Sequence, residues 1–358
     1  MAIINGTSVG ETLVGTNAAD AITGAGGNDT LFGAGGNDLF IWNPGDGSDT
    51  IDGQAGSDTL QFDGAGVNER IETFASGSHA ALFRDVSSIT MDLNSVERIE
   101  LNALGGTDGV TIDDLTGTAV KQVAVDLGPL DGQVDTVQVN AGDAANHIHV
   151  TQAGGTVSVT GLTETIAITD AEASDGLTLS GLGGDDTIDA TALPAAALHL
   201  VLDGGAGNDT IVGGQGVDTI IGGDGNDRVT GGFGSDTAFL GAGDDRFIWN
   251  PGDSSDIVEG QAGFDTVQFD GANINEFFDV FANGSRLEAT PQRGQRDHGP
   301  QRHRAARGPY SRRHRHRHHR RLDRHSCCPG GRRPRRRTRG HDRRYQRRHS
   351  HGQRDGQQ

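Results

Sequence analysis

Two hydrophobic rhythms alternate along this chain. In the first, a single apolar residue recurs every nine positions: Leu13, Ile22, Leu31 and Phe40 near the start, then Ile211, Ile220, Val229 and Phe247. Its neighbours point the other way, so each marks a very short strand with one inward side chain, and these side chains stack into a narrow core. In the second rhythm, apolar and polar residues alternate over longer runs: "SITMDL", "VERIEL", "DGVTIDDL", "VKQVAVDL", "DTVQV", "HIHVTQ", "TVSVT" and "ETIAITD", all between residues 62 and 203. Gly, Asp or Thr turns separate them, as expected of half-buried strands. No convincing amphipathic helix interrupts either rhythm. The expected fold class is all-β.

The nine-residue rhythm carries chemistry in its turns. From Gly204 the chain reads GGAGNDTIV, GGQGVDTII, GGDGNDRVT, GGFGSDTAF and LGAGDDRFI, ending at Ile248. Glycine holds positions 1, 2 and 4 of most units, and aspartate holds position 6. A weaker array runs from Gly6 to Ile41, with Glu11, Asp20, Asp29 and Asp38 at position 6. Isolated copies surround Asp58, Asp186 and Asp265. Glycine permits the positive φ of a tight turn and leaves carbonyl oxygens unshielded. Each aspartate adds an anionic oxygen at the end of its turn. Oxygens converging at regular spacing suit a hard cation, and Ca2+ takes about 6–8 of them in flexible geometry. Mg2+ demands a stricter octahedron and fits less well.

This array resembles the repeats-in-toxin (RTX) family of haemolysin-type calcium-binding repeats. The resemblance implies a parallel β-roll or β-solenoid built from GGxGxDxUx nonapeptides, two to a coil, with several Ca2+ ions between turns one coil apart. Asp209 would then pair with Asp227, Asp218 with Asp236, and Asp227 with Asp245. Carbonyls of Gly205, Gly207, Gly214, Gly216, Gly223 and Gly225 would complete the ligand sets. Asp29 and Asp38 are the candidates in the first array, and Asp58 and Asp265 those in isolated copies. For the family, such a chain is unfolded in the low-calcium cytosol and folded outside the cell. The implied protein is a secreted, calcium-binding RTX protein at the surface or outside of a Gram-negative bacterium, with a structural role. The alternative is a non-catalytic fragment of a larger RTX adhesin, toxin or exoenzyme.

Four segments follow from these patterns: an N-terminal roll over 1–61, a β-rich middle over 62–180, a second roll over 181–285 and a tail over 286–358. The middle is expected to be solenoid-like or a sandwich, with a continuous right-handed parallel β-helix preferred. Residues 1–285 carry 44 Asp+Glu against 6 Lys+Arg, whereas 286–358 carry 24 Arg against 5 Asp+Glu and 10 of the 14 histidines. A long repeat explains the break. "FIWNPGDGSDTIDGQAGSDTLQFDGAG" at 40–66 returns at 247–273 as "FIWNPGDSSDIVEGQAGFDTVQFDGAN", an offset of 207, and the likeness continues to Ser285 before stopping. DHGPQ at 297–301, encoded as GAC CAT GGA CCT CAA C, regroups one base later to TMDLN, the sequence of 90–94 at that same offset. RHHRRLDRH at 317–325 regroups likewise to VTIDDLTGT, residues 110–118. The tail therefore reads as an out-of-frame translation of a second copy of 79–150, and is expected to be disordered. Its histidines, Cys327 and Cys328 then carry no selected chemistry, and a C-terminal export signal would be lost.

Other chemistry finds less support. "GTSVG" at 6–10 fits the G-x-S-x-G pattern, but that motif needs a long strand before it and a helix after it. There is no HExxH, and "GGAGNDT" lacks the lysine of a P-loop. The expectation is a chain that is not an enzyme. The acidic excess over 1–285 disfavours nucleic acid or an anionic membrane surface as partner. No apolar run approaches the ~20 residues of a membrane helix. The start lacks the basic and apolar regions of a cleavable signal peptide. No protein or glycan partner is specified. His147 and His149 share one strand face and read as solvated, and Glu69-Arg70-Ile71-Glu72 reads as surface.

Overall fold

The computed structural model describes residues 1–273, 276–283 and 286–293. Among these there is no α-helix, and so none long and apolar enough to cross a membrane. Strands join two long sheets, one of 14 strands and one of 13. Successive strands of a coil go to opposite sheets, and neighbours within each sheet are mostly parallel. Inward side chains from both sheets merge into one continuous core.

The ladder registers give the coil length. Ile3 faces Ala21, Thr12 faces Thr30, Thr210 faces Arg228 and Thr219 faces Thr237. Each step is two nonapeptides, as the resemblance implies. The inserted turns "NPGDGSD" and "NPGDSSD" lengthen a coil by two residues, so Thr30 faces Thr50 and Arg246 faces Thr266.

The sheets run unbroken across residues 61 and 180, so the middle is a continuation of the same solenoid. All eight alternating runs form strands there. Two antiparallel excursions are absorbed without changing the polarity of the coil. In one sheet Arg70–Ser76, His79–Arg84 and Ile89–Asn94 form three adjacent strands, and in the other His147–Ala153, Thr156–Thr160 and Thr165–Thr169 do so. The second turns at Gly154-Gly155, both at positive φ, as a two-residue hairpin requires.

Two sequence expectations need correction. Glu69 and Ile71 are buried, at 2% exposure each, because the coil places them at and just inside the sheet edge. Residues Arg286–Arg293, expected to be disordered, form a strand antiparallel to Glu276–Asn283. Its register, Asn283 facing Arg286, repeats that of Ser76 facing His79 at the offset of 207. The rest of the tail, with Cys327 and Cys328, lies outside the described residues.

Candidate metal centre

Each nonapeptide ends its turn on the aspartate and then enters a strand, which places successive carboxylates in a column along the sheet edge. The columns are knit by hydrogen bonds. The Asp209 N–H donates to Oδ1 of Asp227 at 2.9 Å, Asp218 to Asp236 at 2.9 Å, and Asp227 to Asp245 at 2.8 Å. These are the three pairs expected from the resemblance. Asp245 continues to Asp265 at 3.2 Å and Asp186 joins from above, donating to Asp209 at 2.7 Å. In the first array Glu11 donates to Asp29 at 2.7 Å, Asp20 to Asp38 at 2.8 Å and Asp38 to Asp58 at 2.8 Å.

One carboxylate oxygen is thus used by the ladder. The other is not. Oδ2 of Asp29, Asp38, Asp58, Asp186, Asp209, Asp227, Asp236, Asp245 and Asp256 is buried without a hydrogen-bond partner. Leaving a carboxylate oxygen dry and unpaired is costly, so the arrangement calls for a cation. Asp218 differs, because its Oδ2 accepts from the Gly214 N–H at 2.7 Å.

The glycines explain how the oxygens come together. A Cβ on Gly204 would stand 2.4 Å from Oδ2 of Asp209, and one on Gly222 would stand 2.5 Å from Oδ2 of Asp227, so position 1 leaves the space that the carboxylate fills. Gly223 and Gly225 have φ of +113° and +138°, which turns their backbones onto the preceding coil. A Cβ there would lie 1.8 Å from the carbonyl oxygens of Gly205 and Gly207, respectively. The carbonyls of Gly214 and Gly216 face Gly232 and Gly234 in the opposite column, and those of Gly223 and Gly225 face Gly241 and Gly243. The Gly214 carbonyl also accepts the Phe233 N–H.

Among the described residues no three His, Cys, Asp or Glu side chains gather at one point. A cation in these turns therefore has few carboxylates and takes its remaining ligands from turn carbonyls. That is an all-oxygen, flexible set, which suits Ca2+. The electrostatics agree. Burial pushes Asp236 and Asp49 up to about 7, and Asp58, Asp186, Asp218, Asp227 and Asp256 up to about 6. Neighbouring carboxylates add to the shift of Asp227 and Asp236. Asp20 goes the other way, because the Ala2 and Thr16 amides and the Thr16 hydroxyl bond to it.

Sequence reasoning missed how far the columns extend. Asp49 belongs to the first array's ladders, and Asp256 accepts from Asp236. In the middle, Glu69 donates to Asp108 at 2.8 Å, Asp108 to Asp135 at 2.7 Å and Asp135 to Asp175 at 3.0 Å. The signal was present as an acid two residues before the first inward apolar side chain, in "ERI", "DGV", "DTV" and "DGL". Without repeated glycines it had no frame to be read in. The other candidates stay apart: His147 and His149 are exposed, with His149 3.8 Å from Asp189. Ser8 is exposed beside the three-residue strand Thr12–Val14.

A family model described as the RTX calcium-binding nonapeptide repeat matches residues 5–40, 45–64, 178–192, 203–238 and 221–248. These segments include every candidate aspartate from Asp29 to Asp245 and exclude Asp265. No curated protein matches the chain.

Proposed function

The chain carries RTX calcium-binding repeats, and from that premise we propose that it is a structural module of a secreted bacterial protein that folds as it meets Ca2+ outside the cell. It has no catalytic role in this reading, and its work is to form an extended, acidic, metal-stiffened solenoid. The run of buried Oδ2 atoms without donors carries the proposal. Such oxygens repel one another at close range in the metal-free chain, so metal binding and coil formation become one event. Low cytosolic calcium would then keep the roll coils unfolded, which favours export before folding is complete. Extracellular calcium modules work at about 0.1–1 mM. Far-UV circular dichroism of the metal-stripped chain should gain β signal cooperatively in that range, with Mg2+ much weaker. A spectrum unchanged by Ca2+ would sink the reading.

The offset of 207 favours a second form of the same proposal, in which the module is one unit of a longer tandem array in an RTX adhesin or exoenzyme. Coil 247–269 repeats the register of coil 40–62, with Phe247 facing Val267 as Phe40 faces Leu60, and keeps most of its sequence, as unequal duplication of a larger repeat would leave it.

A further inference from the structure

We propose that the middle of the solenoid holds a Ca2+ ion of its own at Asp108, outside every matched repeat. The site rests on the calcium-binding reading of the chain and extends it to a turn that the repeat pattern does not cover. The turn is Ala103-Leu104-Gly105-Gly106-Thr107-Asp108. It keeps the roll's geometry with a different sequence: Leu104 takes φ +69° and Gly106 takes +129°.

Asp108 is 3% exposed. Its Oδ1 accepts the Glu69 N–H, and its Oδ2 has no partner at all. One coil earlier, Glu69 is 2% exposed, and its Oε2 is likewise buried and unpartnered. Its Oε1 accepts from the Ala65 N–H and from Arg84. Arg84 therefore balances one negative charge at this edge and leaves that of Asp108 without a cation.

The carbonyls are also in place. A Cβ on Gly106 would lie 3.0 Å from the Val67 carbonyl oxygen, and one on Gly128 would lie 2.5 Å from that of Leu104. The approach at Gly128 is of the kind found in the rolls, where a Cβ on Gly205 would lie 2.3 Å from the Leu182 carbonyl oxygen, whereas Gly106 faces the Val67–Asn68 peptide through its carbon and nitrogen first. Asp131, on the next coil, brings a further carboxylate over the turn: its Oδ2 is 3.6 Å from where a Gly105 Cβ would stand. The unpartnered Glu69 oxygen lies in its own turn, 2.7 Å from where a Gly64 Cβ would stand. The orphaned Asp108 oxygen, the turn carbonyls and the Asp131 carboxylate at the rim form a hard, all-oxygen donor set. A divalent ion of calcium's size and flexibility fits it.

The strands around this turn bury two apolar residues each, so the site is preformed rather than folded by its metal. That property separates it from the rolls in an experiment. The full chain, stripped of metal, is dialysed against radioactive Ca2+ to count bound ions, alongside Asp108→Asn and Asp227→Asn. Asparagine at 108 keeps an oxygen for the Glu69 N–H and removes the charge. Asp108→Asn should bind one ion fewer than the parent while keeping the calcium-induced gain of β signal. Asp227→Asn should lose ions together with part of that gain. Asp131→Asn, at an exposed position that folding tolerates, should weaken one ion roughly tenfold.

An unchanged count in Asp108→Asn overturns the site and leaves the roll reading intact. A parent chain that binds no Ca2+ overturns both. If Asp108→Asn does not fold, an unchanged affinity profile in Asp131→Asn decides against the site.

Discussion

The second roll and the middle of the solenoid share one path and one coil plan, yet they are held together differently. In the roll, Thr210–Val212 and Arg228–Thr230 are three residues long and each buries one apolar side chain. In the middle, Arg98–Asn102, Gln122–Asp126 and Gly176–Ser180 are five residues long and each buries two. Each further Val, Leu or Ile buried adds roughly 1.5–3 kcal/mol. The turns differ in the opposite sense. Unpartnered aspartate oxygens stand coil after coil in the roll, whereas in the middle they occur at Glu69, Asp108 and Glu164. The comparison teaches that a coil can draw its cohesion from apolar burial or from cations in its turns. Where one sheet's strands bury a single apolar side chain each, as at Thr210–Val212 and Arg228–Thr230, this chain supplies ligands for the second.

The middle also carries cations of its own. Arg84 is buried against Glu69 and lies over Trp42, whose ring stacks on Phe62 at 4.1 Å. Removing it in Arg84→Ala leaves a buried carboxylate without a partner, a loss of about 3–5 kcal/mol. Chemical denaturation should register that loss with and without Ca2+. A loss confined to calcium-free buffer would erase the distinction between the two regions.

Glycine substitutions sharpen the comparison at a smaller scale. A Cβ on Gly222 would meet the Leu240 carbonyl oxygen at 2.1 Å as well as the Asp227 carboxylate. Gly222→Ala should cost roughly 1–3 kcal/mol in saturating Ca2+. A Cβ on Gly176, in the middle, meets only the Thr136 methyl at 3.7 Å. Gly176→Ala should be neutral or slightly stabilising, because alanine has less conformational freedom to lose. Equal losses at both positions would show that the roll's turns are no tighter than the rest.

Acid should act with opposite signs on the metal-free and the calcium-loaded chain. The Asp49, Asp227 and Asp236 carboxyls hold their protons more tightly folded than unfolded, since burial raises them from 3.8 to about 6 or 7. Their contribution to the metal-free fold is complete below about pH 4 and is lost as the pH rises through 6 to 7. The stripped chain should therefore carry more β signal at pH 5 than at pH 7.5. With Ca2+ bound, protons compete for the same oxygens, so the calcium-induced gain should shrink at pH 5. A stripped chain that loses β signal on acidification from pH 7.5 to pH 5 would contradict the burial of those carboxylates. The smallest effect belongs to His149→Ala, an exposed position where a change within about 0.5 kcal/mol is expected by thermal melting.

Much of this was legible in the sequence, though unevenly. The nonapeptide array marked the strand positions, because each unit repeats its own glycines as a ruler, while the coil length and the pairing of Asp209 with Asp227 came from the resemblance to RTX repeats. The strands at 89–94 and 147–169 were legible as strands but not as antiparallel ones, since alternation carries no direction, and Arg70–Ser76 and His79–Arg84 were not read as strands. The Gly154-Gly155 pair was the local clue to the second excursion. Glu69 was misread as surface because its neighbour Arg70 is exposed and its true partner, Arg84, is fifteen residues away. Asp108, Asp135 and Asp175 went unseen as a ladder because their spacings of 27 and 40 residues follow coils of unequal length. The edge register, which only the fold supplies, brings them together.

Hydrogen exchange of the full chain, read by mass spectrometry with and without Ca2+, tests most directly whether cations hold the roll coils together. Amides of 204–248 should be protected in Ca2+ and exchange freely in chelator, while those of 98–180 stay protected in both. Protection of 204–248 that survives complete removal of metal would contradict it.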